Sequence, residues 1–389
     1  MDPTAPPEHA VQAWQRLRDW AVQQAYPLWS TAGIDWQAGG VFEKLDLHGA
    51  PTDVPRRARV QPRQIYSFVV APELGWTGPS QTVANHALDF FKSRFFRPDG
   101  LVSPLVLTNG EPIEASLDLY DQSFAIFGLA MAHRGGLWEG ARIQADLLRD
   151  RLAGLSHPLG GYREPSLSQA HLFSNPQMHM LEACLEWAEQ VDDPRWDRTA
   201  HGIAELALAR LIDPQSGGVR EFFDENWSPL AGDEGKILEP GHQFEWGWLL
   251  LRCGKRWADD RFTEAAMRLI KLGRDHGVDQ KRGVAFNQML TDFSVRDASA
   301  RLWPQTEWLK AASLAAEITA DPQWWDEACK AAAALEAYLI GQKPGLWADR
   351  IDEQGRVILE PSPASSFYHI ICAILEFGRS LKRSGAQAG

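Results

Sequence analysis

Three histidines stand in otherwise apolar stretches of this 389-residue chain: His179 in SNPQMHML, His242 in EPGHQFEWG and His369 in PASSFYHI. An imidazole titrates near neutral pH, so it can take a proton from carbon and give it back. His242 and His369 read as an acid/base pair. Glu245 lies one turn on from His242, where it can fix the ring tautomer or bind a hydroxyl. Such a pair suits removal of the weakly acidic proton beside a sugar carbonyl, the step shared by aldose–ketose isomerisation and 2-epimerisation. The enediolate that results carries negative charge, which Arg63 and the free N–H groups of helix starts can meet. Asn175 and His179 share a helix face at i, i+4, and with Tyr120, Trp303 and Glu307 they are expected to grip the sugar.

Each residue also has a plain structural reading. His86, His133, His201 and His276 are assigned to packing or capping, Tyr120 could simply pack, and Glu307 with Lys310 fits an i, i+3 surface pair. Taken together the set resists that reading, because ionisable groups buried near one ring without use are costly unless paired. There is no HxH or HExxH spacing and no acidic loop, so neither a metal nor another cofactor is expected. Two alternatives use the same residues differently. An inverting glycoside hydrolase would employ Glu245 with Glu307 but leave the histidines idle, and a non-catalytic sugar-binding protein would turn nothing over.

A repeat must bring these residues together. Gly-led alternating segments begin at Gly39, Asp99, Gly160, Gly217, Arg282 and Gly345, recurring about every sixty residues. Their pattern predicts short β-hairpins. Two helical stretches fill each interval, as at 179–188 and 198–211, and a first helix over about 8–26 brings the expected total to twelve. Paired helices of this period build an all-α fold, an (α/α)6 barrel with short hairpins between helix pairs, although an open solenoid would use the same repeats. Five inner helices start at or near Pro62, Pro176, Pro240, Pro304 and Pro363, so their first turns would carry the polar residues to one mouth. The expectation is one domain over 1–389, with loose termini at about 1–8 and 384–389.

The formal net charge of -12 argues against nucleic acid or an anionic membrane as partner. The basic run Arg56, Arg57, Arg59 reads as a solvated loop rather than a phosphate site. No stretch has the length of a membrane span and no leader opens the chain, which predicts a soluble cytoplasmic protein, monomer or homodimer, acting on a small monosaccharide. Cys184, Cys253, Cys329 and Cys372 lie in apolar helical patterns and are expected to be free thiols. Some of the 17 tryptophans should line a carbohydrate cleft.

At these residues the chain resembles the N-acylglucosamine 2-epimerase family, which includes cellobiose 2-epimerases and mannose isomerases. The matching segments are RVQPRQIYSF (59–68), LYDQSFAI (119–126), SNPQMHMLEA (174–183), EPGHQFEWGWLLL (239–251), LWPQTEWLKA (302–311) and PASSFYHI (363–370). The resemblance implies the (α/α)6 barrel, His242 and His369 as the acid/base pair with Glu245 beside them, and Arg63, Tyr120, Asn175, His179 and Glu307 as further site residues. Disaccharide epimerases of the family show two adjacent tryptophans where this chain has Leu302 and Trp303, which favours a monosaccharide. The PASSFYHI ending looks like the mannose isomerase branch, so mannose–fructose isomerisation is the first expectation. A 2-epimerase is the runner-up, and a mannose 6-phosphate isomerase follows if Arg56, Arg57 or Arg59 reaches the mouth.

Overall fold

A computed structural model describes residues 6–166 and 171–386. Most of the termini expected to be loose lies outside these residues. Of the remainder, Glu8 begins a helix and Ala386 donates a hydrogen bond to the Leu381 carbonyl.

Twelve helices occur among the described residues. The outer ones are α1 (Glu8–Trp20, extended by a π turn and by Tyr26–Trp29), α3 (Ser80–Arg94), α5 (Ala141–Leu152), α7 (Pro194–Leu206), α9 (Asp260–His276) and α11 (Gln323–Glu336). The inner ones are α2 (Val60–Val69), α4 (Leu119–Arg134), α6 (Ser174–Ala188), α8 (Pro240–Trp257), α10 (Leu302–Thr319) and α12 (Ala364–Arg383). Outer helices bury one stripe; α9 sinks Phe262, Ala265, Ala266, Leu269 and Ile270 and leaves its charged face in water. Inner helices are covered on nearly every side, as α8 is from Pro240 through Leu251. No helix among the described residues is long and apolar enough to cross a membrane.

The ring closes. Helix α12 packs against α2, and the strand Lys44–Leu45 near the start of the chain pairs antiparallel with Ser362–Pro363 near its end. The same stitch recurs around the circle. Arg56–Arg57 pairs with Leu105–Val106, Leu172–Phe173 with Phe222–Phe223, and Ala300–Arg301 with Arg350–Ile351. The strand entering an inner helix thus binds the Gly-led segment of the next repeat, and those segments themselves fold back as the expected short hairpins, for example Arg350–Ile351 on Val357–Ile358 and Gln288–Leu290 on Val295–Asp297.

Glutamines set the depth of the inner helices. Gln243 accepts from the Val219 N–H at 2.7 Å and donates to the Val219 carbonyl at 3.0 Å, clamping the preceding loop with one amide. Gln61, Gln122, Gln177 and Gln305 do the same to Val41, Val102, Tyr162 and Ala285. In the sixth repeat the Ser362 hydroxyl bonds both backbone polar groups of Trp347. A buried amide satisfies two backbone groups that sheet pairing leaves over. Gln243→Leu strands both groups of Val219 beside His242, and urea unfolding should show a loss of about 1–3 kcal/mol; unchanged stability would show that the clamp carries no weight.

Candidate active site

The first turns of the inner helices open into a cavity of about 540 Å³. Arg63, Tyr120, Asn175, His179, His242, Glu245, Trp303 and His369, drawn from six helices, all line it. Side-chain caps are absent at the starts of α2, α6, α8, α10 and α12. Their positive dipole ends therefore face the opening. Trp303 stands between the two outer imidazoles, its ring centroid 4.9 Å from that of His242 and 6.2 Å from that of His369. Gly241 makes this possible, because a Cβ there would meet the Trp303 ring at 2.5 Å.

Behind each imidazole lies a buried carboxylate, and two of these differ from the sequence expectation. His242 Nδ1 is held by Glu221 at 2.9 Å, with Glu239 at 3.5 Å, and not by Glu245. Although Glu245 shares a face of α8 with His242, its carboxyl lies 3.8 Å from His179 Nδ1 on the neighbouring α6. Glu307 does not reach the cavity to bind a hydroxyl: it is fully buried, accepts from His369 Nδ1 at 2.9 Å and holds Lys310 at 2.5 Å. Lys310 is itself 0% exposed, so the pair is internal and not the surface pair that its spacing allowed. His179 Nδ1 bonds Glu182 at 3.2 Å, and the Tyr368 hydroxyl donates to the other Glu182 oxygen. Because Glu307 cannot fill one half of a carboxylate pair across the cavity, the hydrolase arrangement is not formed.

These surroundings drive the histidines apart. Burial pulls His242 down, but Glu221 and Glu239 outweigh it and lift the ring to about 10, so it is an imidazolium at neutral pH. Burial, together with the cations Arg63 and Lys310, pushes His369 well below its ordinary value and keeps it neutral. Burial likewise lowers His179, to about 4. Burial and the nearby Glu307 raise Glu245, which leaves it a neutral acid able to donate a hydrogen bond. Burial raises Glu307, against which the adjoining Lys310 ammonium favours its ionised form; as a carboxylate it accepts from His369 Nδ1 and leaves Nε2 bare. One cavity thus holds a charged acid and a neutral base.

Arg63 donates to the Tyr120 hydroxyl at 2.5 Å and keeps its buried Nε unpaired, while the Asn175 Oδ1 is also buried without a partner. His179, Glu182 and Glu245 place one donor atom each within 4.8 Å of one another, close enough for a divalent cation. Lys310 already supplies positive charge to Glu182 and Glu245, and it sits over the Trp248 ring at 3.9 Å. A second cavity of about 350 Å³ opens at the far end of the inner helices, where ion pairs such as Arg252 with Glu186 and Arg379 with Glu73 satisfy one another.

The basic run divides. Arg56 is fully buried against Asp35 and the Gly39 carbonyl, contrary to a solvated loop, whereas Arg57 and Arg59 reach the mouth. Sequence reasoning missed Glu221 and Glu182, and it took Lys310 only as a surface partner of Glu307. Glu182 and Lys310 sit at i, i+3 from His179 and Glu307 and were open to a spacing search; Glu221 lies in a loop with no such mark. His86, His133, His201 and His276 contact Trp36, Trp187, Trp257 and Phe293 respectively, away from the cavity. Cys184, Cys253, Cys329 and Cys372 are free thiols, the third of them only half-buried.

The family model described as N-acylglucosamine 2-epimerase (GlcNAc 2-epimerase) matches residues 40–373. The chain belongs to this family and is an enzyme of its isomerase and epimerase type. A protein of Rhizobium meliloti (strain 1021) named Mannose-6-phosphate isomerase is 44% identical over 377 residues, covering 94% of this chain and 97% of its own. A crystal structure of a D-mannose isomerase superimposes with a TM-score of 0.85 at 21% identity, over 96% of this chain and 99% of the other. Cellobiose 2-epimerase from Bacillus thermoamylovorans B4167 gives the same TM-score at 19% identity, over 94% and 99%. These likenesses identify the fold as the (α/α)6 barrel.

Two outcomes follow from the charges. Glu221→Gln should bring the His242 titration, followed by NMR of ring-labelled histidine, down from about 10; an unmoved ring would mean that Glu221 does not hold the charge. By the same linkage, His242 stabilises the wild type below the ordinary histidine range and loses that contribution as pH rises through about 10, so the variant should show less alkaline loss of stability. Lys310→Met leaves buried carboxylates without their cation and should lower unfolding free energy by about 3–5 kcal/mol; a neutral effect in denaturant titration would contradict the burial of an ionised pair.

Proposed function

We propose that the chain interconverts an aldose and its ketose at C1 and C2 of an open-chain hexose, mannose with fructose, through a cis-enediolate and with His242 and His369 as acid and base. The observation that carries this reading is the opposite protonation of two imidazoles on one cavity, with Trp303 between them. His369 Nε2 takes the proton from C2 while the His242 imidazolium gives one to the carbonyl oxygen O1. His369 then returns its proton to C1, the hydroxyl proton on O2 passes back to His242, and the C2 carbonyl of the ketose forms with no net change in the protein. Arg63 and the neutral Glu245 face the oxygens on which charge builds. Asn175, His179 and Tyr120 hold the remaining hydroxyls, Trp303 covers the ring carbons, and Glu307 fixes His369 from behind.

The name of the Rhizobium relative supports a mannose skeleton. Mannose incubated with the enzyme in deuterated water should give fructose labelled at C1 by NMR, and His369→Asn should cut kcat by about 10²–10⁴. Label at C2 with glucose as product would replace isomerisation by epimerisation, in which His242 reprotonates C2 from the opposite face. Turnover that survives His369→Asn would remove it as the base.

A further inference from the structure

A larger opening of about 760 Å³ adjoins the active-site cavity at the rim of the barrel, and Arg57, Arg301 and Ser365 line both. None of the three has a part in the proton transfers. Both arginines are tied to the start of α12 through an acidic residue. On one side Arg57 is braced by the buried Glu43, whose carboxylate accepts from the Arg57 Nε at 2.8 Å and whose backbone carbonyl accepts from the Ala364 N–H at 2.8 Å. On the other, Arg301 donates to the buried Asp349 at 3.3 Å, and Asp349 accepts from the Ser366 hydroxyl at 2.8 Å. Both guanidinium groups are thereby tied to residues that hold the first turn of one helix, whose Ser365 lines the same opening.

Their remaining capacity is considerable. Arg57 spends Nε and Nη2 on Glu43 and keeps Nη1; Arg301 commits one long bond and is about half exposed, with 48% of its side chain accessible. The Ser365 hydroxyl makes no hydrogen bond, and the first turn of α12 has no side-chain cap. Forked N–H donors, a hydroxyl and an uncapped helix start lining one opening match the tetrahedral oxygens of a phosphate. Ser365 also lies one turn before His369 on the same helix face, a rise of about 6 Å. A hexose with C1 and C2 at His369 must send its C6 end away from the floor, towards the rim.

We propose that Arg57, Arg301 and Ser365 bind the phosphate of a sugar 6-phosphate, so that the physiological substrate is a phosphorylated hexose. This inference rests on the isomerase reading for its chemistry, but its binding part stands by itself. The test compares mannose 6-phosphate with mannose on wild type, Arg57→Gln, Arg301→Gln and Arg301→Lys. Wild type should favour the phosphorylated sugar in kcat/KM, and each glutamine variant should cut that preference by about 10- to 100-fold, with partial recovery in the lysine variant. Calorimetry with fructose 6-phosphate, fructose and inorganic phosphate reads the same preference without turnover and serves if a variant is inactive. Phosphate-dependent binding lost in Arg301→Gln, without isomerisation of either sugar, would keep the cradle and sink the isomerase reading. Equal handling of phosphorylated and free sugar by wild type, an unchanged preference in the variants, or binding of inorganic phosphate no weaker than that of fructose 6-phosphate would overturn the proposal.

Discussion

An ionised carboxylate taken out of water must be met by a partner of opposite charge or by hydrogen-bond donors, or it will not remain ionised. The centre of this barrel is organised by that requirement. Glu182, Glu221, Glu245 and Glu307 are all less than a tenth exposed. Each finds a different answer: Glu221 charges His242, Glu307 is split between His369 and Lys310, Glu182 is divided between His179 and Tyr368, and Glu245 gives up its charge. The acid and the base differ because burial, with the cations Arg63 and Lys310, holds His369 neutral, whereas at His242 the carboxylates Glu221 and Glu239 outweigh burial.

Holding these groups in register is a problem of backbone placement. A shift of one inner helix along its axis would carry its histidine away from a carboxylate that belongs to another element, since Glu221 sits in a loop and Glu307 on a different helix from His369. The glutamine clamps and the strand links between successive repeats oppose that shift. They bind each inner helix to the loop before it, and the loop to the next repeat, so the mouth is fixed by the closed ring as a whole.

Much of this was legible in the sequence, for physical reasons. The twelve helices follow from apolar spacing, and the convergence of Arg63, His179, His242 and His369 follows from their places in the first turns of repeated elements. Spacing along a helix failed where partners come from elsewhere: Glu245 shares a face with His242 yet serves the floor beside His179, and Glu307 points backwards rather than at the sugar. Arg56, Arg57 and Arg59 are alike in type and adjacent in sequence, but alternation along a short strand turns Arg56 inward against Asp35 and Arg57 towards the mouth. Which neighbour lies across a closed ring is a tertiary fact that local pattern does not encode.

The central claim is the division of labour between a charged His242 and a neutral His369. The pH dependence of kcat/KM tests it most directly, because it reports the essential acid and base of the free enzyme. The account predicts activity that needs His369 deprotonated and His242 protonated: a plateau whose acid limb lies well below the ordinary histidine range and whose alkaline limb falls at about 10. A narrow optimum with both limbs near the ordinary histidine value would contradict it.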